Sequence, residues 1–208
     1  MAYRPTEKTL ARKAELRQRL LAASLELVST GGFGALTIAA VASQAGMATG
    51  AVYKHFESKA HLCVEVFRMA TEKEVAVVRE ATLGPEAPDA RLRHAVGASL
   101  PSAHCAIRAW LSPLIAEPVD ALVDAQRLRY RQAYAQVFEQ LVLEGIASGA
   151  FEPQPASVSA AALVGVIAES LVGPLSWPAS DTPPTPTSEL VDAIQAFCLR
   201  AVSRRLTP

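Results

Sequence analysis

Along this chain, apolar residues recur every three or four positions in long stretches, and short interruptions rich in glycine and proline separate them. Such spacing predicts helices with one buried face. Leu16, Leu20, Ala23, Leu27 and Val28 predict a first helix from about Thr9 to Ser29, with residues 1–8 as a loose basic arm. Gly31 and Gly32 are expected to end it, as glycines just past a helix do. A second, short helix opens at Thr37, whose hydroxyl suits a cap, and turns Ile38, Val41 and Ala42 inward before stopping near Gly46. A third covers about Ala48 to His55, too short to be stable without neighbours. A fourth opens at Ser58 and runs to about Ala81.

Gly84, Pro85 and Pro88 mark a break. Helices follow over about Asp89–Leu100 and Ser102–Leu111, interrupted by Pro101. A long helix covers Pro118–Ala147, with its proline in the first turn, where a missing N–H costs nothing. The next, Ser157–Trp177, is apolar nearly all round. Four prolines keep residues 178–186 out of a helix. The last helix spans about Thr187 to Leu206. No long stretch alternates apolar and polar residues as a half-exposed strand would. The expected fold is all-α, with about nine helices and no internal repeat.

Composition sharpens this picture in three places. Half of the 208 residues are apolar but only 6% are aromatic, and alanine and leucine favour helix. The net charge is zero, yet it is unevenly spread. Residues 1–59 carry eight Lys or Arg and four Glu, a net of +4, and the remainder carries 12 basic and 16 acidic residues, a net of −4. A basic end on a neutral chain suggests that this end meets a polyanion. The three cysteines, Cys63, Cys105 and Cys198, have neither metal-site nor redox spacing, which fits a reducing cytoplasm. The charged N-terminus does not read as a signal peptide. Ala160–Leu175 is broken by Glu169, Ser170 and Gly173 and is too short to cross a bilayer, so no membrane partner is expected.

The chemistry concentrates in Thr37–Leu62. Two short helices meet at Gly46, and Ala39, Ala40 and Ala42 allow them to approach, which is the pattern of a helix-turn-helix. The third helix offers hydrogen-bonding groups on a free face: the Thr49 hydroxyl, the Tyr53 phenol, and the donors of Lys54 and His55. Gly50 leaves room for a close approach, and Lys59 adds positive charge at the start of the next helix. Phosphate contacts position such a surface on a duplex, and base-edge contacts specify sequence.

In these residues the stretch resembles the helix-turn-helix of the TetR family of bacterial regulators: the Thr37-Ile38 start, the Ala45-Gly46 turn, and Gly50, Tyr53, His55, Phe56, Lys59 and Leu62. The match is specific over about residues 13–62; beyond that it rests on helix number and layout. The resemblance implies a DNA-binding domain over residues 1–57 and an effector-binding and dimerisation domain over 58–208. It assigns phosphate contacts to Thr37 and Lys59 and the recognition surface to Thr49, Gly50, Tyr53, Lys54 and His55, with Val52 and Phe56 as core. One departure stands out. Ala48 occupies the place where the family often caps the recognition helix with a hydroxyl, so either Thr49 caps it or nothing does.

The penultimate helix and the last one are too apolar to stand exposed. The resemblance implies that they pair with their twins in a homodimer, with Leu163, Val164, Ile167, Leu171, Val172, Ile194, Phe197 and Ala201 at the interface. Two recognition helices would then address successive major grooves of double-stranded DNA and a near-palindromic operator. The region between head and dimer face would enclose a small, largely apolar effector, lined by Trp110, Tyr130, Tyr134, Phe138 and Glu169, with Cys105, Arg108 and Trp177 as further positions. Effector binding would swing the fourth helix and release a repressor from its operator. Two alternatives stay open: a constitutive DNA-binding or adaptor protein, and an enzyme. Against the enzyme, no histidine pair has zinc-helix spacing, and there is no phosphate loop or dinucleotide fingerprint. No cofactor or metal is expected.

Overall fold

The computed structural model describes residues 6–100, 121–175 and 188–203, the stretch 171–175 by its backbone alone. Among these residues the protein is all helix: α1 (Glu7–Ala35), α2 (Ile38–Gln44), α3 (Thr49–Val52), α4 (Lys59–Ala81), α5 (Pro88–Ser99), α6 (Ala121–Ala147), α7 (Ala156–Leu175) and α8 (Ser188–Val202). The expected helix at Ser102–Leu111, with Cys105, Arg108 and Trp110, lies outside the described residues, as do Trp177, the proline-rich segment 178–186 and the first five residues of the arm. No helix among the described residues is long and apolar enough to cross a membrane.

Two hydrophobic cores organise the chain. The first gathers Leu20, Leu21, Val28, Phe33, Leu36, Val41, Val52, Phe56, Leu62, Val66 and Phe67. The second gathers residues of α5–α8 around Phe138, Leu141, Leu163 and Cys198. They do not divide at residue 57. The first half of α4 is buried in the first core, which also receives Val123 from α6. Tyr130 packs against both. The long helices α4 and α6 therefore join the N-terminal head to the body through shared side chains rather than through a linker.

Both ends of the first helix and the end of the last differ from the sequence expectation, each for a local reason. The first helix begins two residues earlier, because the Thr6 hydroxyl caps it by accepting from Thr9 N–H at 3.3 Å. It does not stop at the glycine pair. It kinks there, with Gly32 at φ 66°, and makes another turn that seats Phe33 in the first core. The last helix ends at Val202, because the Val202 carbonyl accepts from Glu152 N–H at 3.0 Å and from Gln154 Nε2 at 3.2 Å. This pins the last helix to the α6–α7 turn, where Phe151 fills the space above Gly145; a Cβ on that glycine would overlap the Phe151 ring.

Candidate nucleic-acid interface

The junction between α2 and α3 is fixed by backbone bonds. Gly46 sits at φ 65°, in the left-handed region. Its N–H donates to Ser43 O at 3.0 Å, and Met47 N–H reaches Ala42 O at 2.8 Å. These two bonds form the glycine stop in which the last carbonyls of a helix find donors. The guanidinium of Arg19, on α1, donates to Ala45 O at 2.9 Å, placing positive charge at the negative end of α2. At the other end of α2 the Thr37 hydroxyl accepts from Ala40 N–H at 3.1 Å. Thr37 is exposed and keeps its own hydroxyl hydrogen for an outside acceptor.

The recognition segment has only one regular turn, Thr49–Val52, rather than the two expected. Further backbone bonds continue it: Lys54 N–H to Ala51 O at 3.2 Å, and His55 and Phe56 N–H to Val52 O at 2.9 Å. Ala48 supplies no side-chain cap, and Thr49 does not replace it. One turn has almost no stability of its own. Val52 and Phe56 hold it, both fully buried, each contributing about 1.5–3 kcal/mol. Arg17 lies over the Phe56 ring at 5.0 Å and binds Glu65 of α4 at 2.5 Å. Glu65 also meets Arg68 at 3.1 Å. Burial alone would raise the Glu65 carboxyl, but the hydrogen bonds from Arg17 and Arg68 outweigh it and hold it below the usual range. Behind the segment, Ser58 caps α4 by accepting from His61 N–H at 3.0 Å, while the His61 ring meets Phe56 edge-on at 5.9 Å.

The outer side of this braced segment is open. Thr49, Gly50, Tyr53 and Lys54 are exposed, and Lys59 is exposed in the first turn of α4. Tyr53 is 56% exposed, so both its ring and its hydroxyl are presented outward. His55 departs from the expectation. It is half-buried and turned toward α1, and its Nδ1 has no hydrogen-bond partner among the described residues. Burial first, then Lys13, Arg17 and Lys54, lower its pKa. With Lys8, Arg12, Lys13 and Lys54 it borders a basic hollow beside α1. Arg17 and Arg19, the two braces, were not legible beforehand, because helical spacing alone does not say which partner a long side chain reaches.

The other expected sites fare unevenly. Tyr134 and Phe138 are buried in the second core, and Tyr130 is half-buried at the seam between the cores. Glu169 is exposed on α7 rather than lining an interior, because it falls on the face of α7 that turns away from the body. Of the expected interface residues, Leu163, Val164, Ile167 and Ile194 lie in the chain's own core. Phe197, at 51%, and Ala201 are exposed. The side chains of Leu171 and Val172 lie outside the described residues. The exposed residues of α7 and α8 also include Val158, Ala161, Ala162 and Ala193. The described residues contain no group of three or more His, Cys, Asp or Glu placed to hold a metal ion.

Residues 20–66 match the family of bacterial regulatory proteins described as the tetR family. The chain is 39% identical over 83 residues to the HTH-type transcriptional repressor KstR of Mycolicibacterium smegmatis, a stretch that takes in 40% of this chain and 41% of that repressor. The chain thus aligns with about two fifths of the curated relatives it resembles. Its fold is similar to that of a transcriptional regulator from Rhodococcus sp. Rha1, with a TM-score of 0.70 at 19% identity over 92% of this chain and 99% of that one. It is also similar to the regulator FadR of Bacillus subtilis, solved in complex with stearoyl-CoA, with a TM-score of 0.68 at 18% identity over 88% and 95%. Residues 20–66 thus carry a helix-turn-helix that matches the tetR family model, on a fold similar to that of these regulators along about nine tenths of the chain.

Proposed function

We propose that this chain is a transcriptional repressor that binds a near-palindromic DNA operator as a homodimer and is released by a small-molecule effector. One observation carries the DNA-binding part: Thr49, Gly50, Tyr53 and Lys54 stand exposed on a segment whose opposite side, Val52 and Phe56, is fully buried. Such a segment is rigid and unshielded, as a reader of base edges must be. Thr37 and Lys59 flank it as phosphate contacts. The homodimer reading rests on the exposed stripe Ala193, Phe197 and Ala201, one helical turn apart on α8, beside Val158, Ala161 and Ala162 of α7. The curated relatives are repressors, which favours repression over activation.

The test is fluorescence anisotropy on a labelled duplex over a salt series. Affinity should fall steeply with salt, and Lys54→Gln and Lys59→Gln should each reduce the log–log slope by about 1. Binding that ignores salt, or that neither substitution changes, would overturn the reading. A second reading, a constitutive DNA-binding protein without an effector, differs in one respect: its affinity for DNA would not respond to any ligand that the body binds.

A further inference from the structure

A cleft of about 370 Å³ opens between α4 and α6, away from the recognition segment. Its rim carries Arg68 and Arg79 from α4 and Arg129 from α6. Arg68 is already committed, held by Glu65 at 3.1 Å and Glu72 at 2.8 Å. Arg79 and Arg129 make no ion pair among the described residues. Two guanidinium groups that line one cleft without an ion-pair partner suit an anion placed between them. The bottom of the cleft has a different character. Tyr130 and Val75 line it. The Tyr130 ring meets Phe67 edge-on at 6.0 Å on the head side and Tyr134 at 5.4 Å on the body side, and Tyr134 continues to Phe138 at 5.8 Å. The cleft lining therefore carries three arginines against one acid, Glu72, with the single aromatic ring of Tyr130 beside Val75 as its apolar surface.

We propose that this cleft binds the oxyanion head of an amphipathic effector, a carboxylate or phosphate held between Arg79 and Arg129 with its apolar body against Tyr130 and Val75. The proposal rests on the regulator reading for its consequence. The helix α4 leads directly from the recognition segment, and Tyr130 is shared by the two cores. An anion that draws Arg79 toward Arg129 fixes the tilt of α4 against α6. A ligand that prefers one tilt shifts the population of head positions by its difference in affinity.

The experiment is isothermal titration of the full chain with four probes sharing one tail: octyl phosphate, octanoate, octyltrimethylammonium and 1-octanol. The anions should bind at least tenfold more tightly than the alcohol, and the ammonium more weakly than either. The tighter of octyl phosphate and octanoate identifies the head. The double variant Arg79→Gln, Arg129→Gln, at two exposed positions, should keep its helicity and melting temperature and lose at least tenfold in anion affinity. Equal binding of all four heads, or undiminished anion binding by the double variant, would overturn the site. DNA affinity measured in parallel separates the two readings. Anion binding without DNA binding would sink the regulator and leave the site standing; DNA binding without anion binding would do the reverse.

Discussion

Glu74 is the residue whose setting is least comfortable. It lies at the α4–α6 contact, where its carboxylate accepts from the Tyr130 hydroxyl at 2.6 Å. Burial raises its pKa and the Tyr130 bond only partly offsets this. Burial and the nearby Glu74 push both Tyr130 and Tyr134 upward as well, so neither phenol ionises in the working range. An acid with a raised folded-state pKa stabilises the protein below its unfolded value of 4.5, and that contribution is lost as the pH climbs through the folded value. Glu74→Gln keeps an acceptor for the Tyr130 hydroxyl without the charge. Its melting temperature should therefore gain on that of the native chain between pH 5 and pH 8, as followed by circular dichroism. A variant that loses ground as the pH rises would show that the buried charge is better compensated than its surroundings suggest. None of this was legible in the sequence, where Glu74 is one acid among several on a charged helix face. Gly46, by contrast, was legible, because a glycine just past a short apolar helix has few other uses.

At the scale of elements, the short recognition turn depends on its neighbours, and Arg17 is the brace to test. Arg17→Ala removes the guanidinium from the Phe56 ring and one of two partners from Glu65. The pair is partly exposed, so the loss should be modest, about 1 kcal/mol in urea unfolding. Its acid limb is more diagnostic. Glu65 has a lowered folded-state pKa, so its contribution is full above 4.5 and disappears as the pH falls through the folded value. With Arg17 gone, stability should fall less steeply on acidification below pH 4.5. An unchanged acid limb would mean that Arg68 alone sets the state of Glu65. The order, type and approximate limits of the described helices could be read from periodicity and caps. The kink at Gly31–Gly32 could not, because burial of Phe33 outweighs the tendency of two glycines to end a helix.

For the whole molecule, the choice of interface residues shows where reading a sequence by apolarity misleads. The most apolar residues of α7 and α8, Leu163, Ile167 and Ile194, are consumed by the chain's own core. What is left for a second copy is a flatter face of Ala161, Ala162, Ala193, Phe197 and Ala201. Small residues let helices pack closely, so such a face suits a twin, with Phe197 as its largest anchor. Phe197→Glu should give a folded chain of unchanged helicity that sediments as a monomer at micromolar concentration and binds duplex DNA at least tenfold more weakly. A variant that remains dimeric would place the interface elsewhere. The proposed dimer would also dictate what the protein can recognise. Two heads related by a twofold axis address half-sites about one helical turn, ~34 Å, apart. The most direct test is therefore selection of bound duplexes from a random-sequence pool by the full-length native chain. The expected result is an enriched inverted repeat, lost when Tyr53 and Lys54 are both replaced by alanine. No enriched motif, a motif without twofold symmetry, or the same enrichment by the double variant would contradict the claim that the braced, exposed Thr49–Lys54 segment reads DNA in pairs.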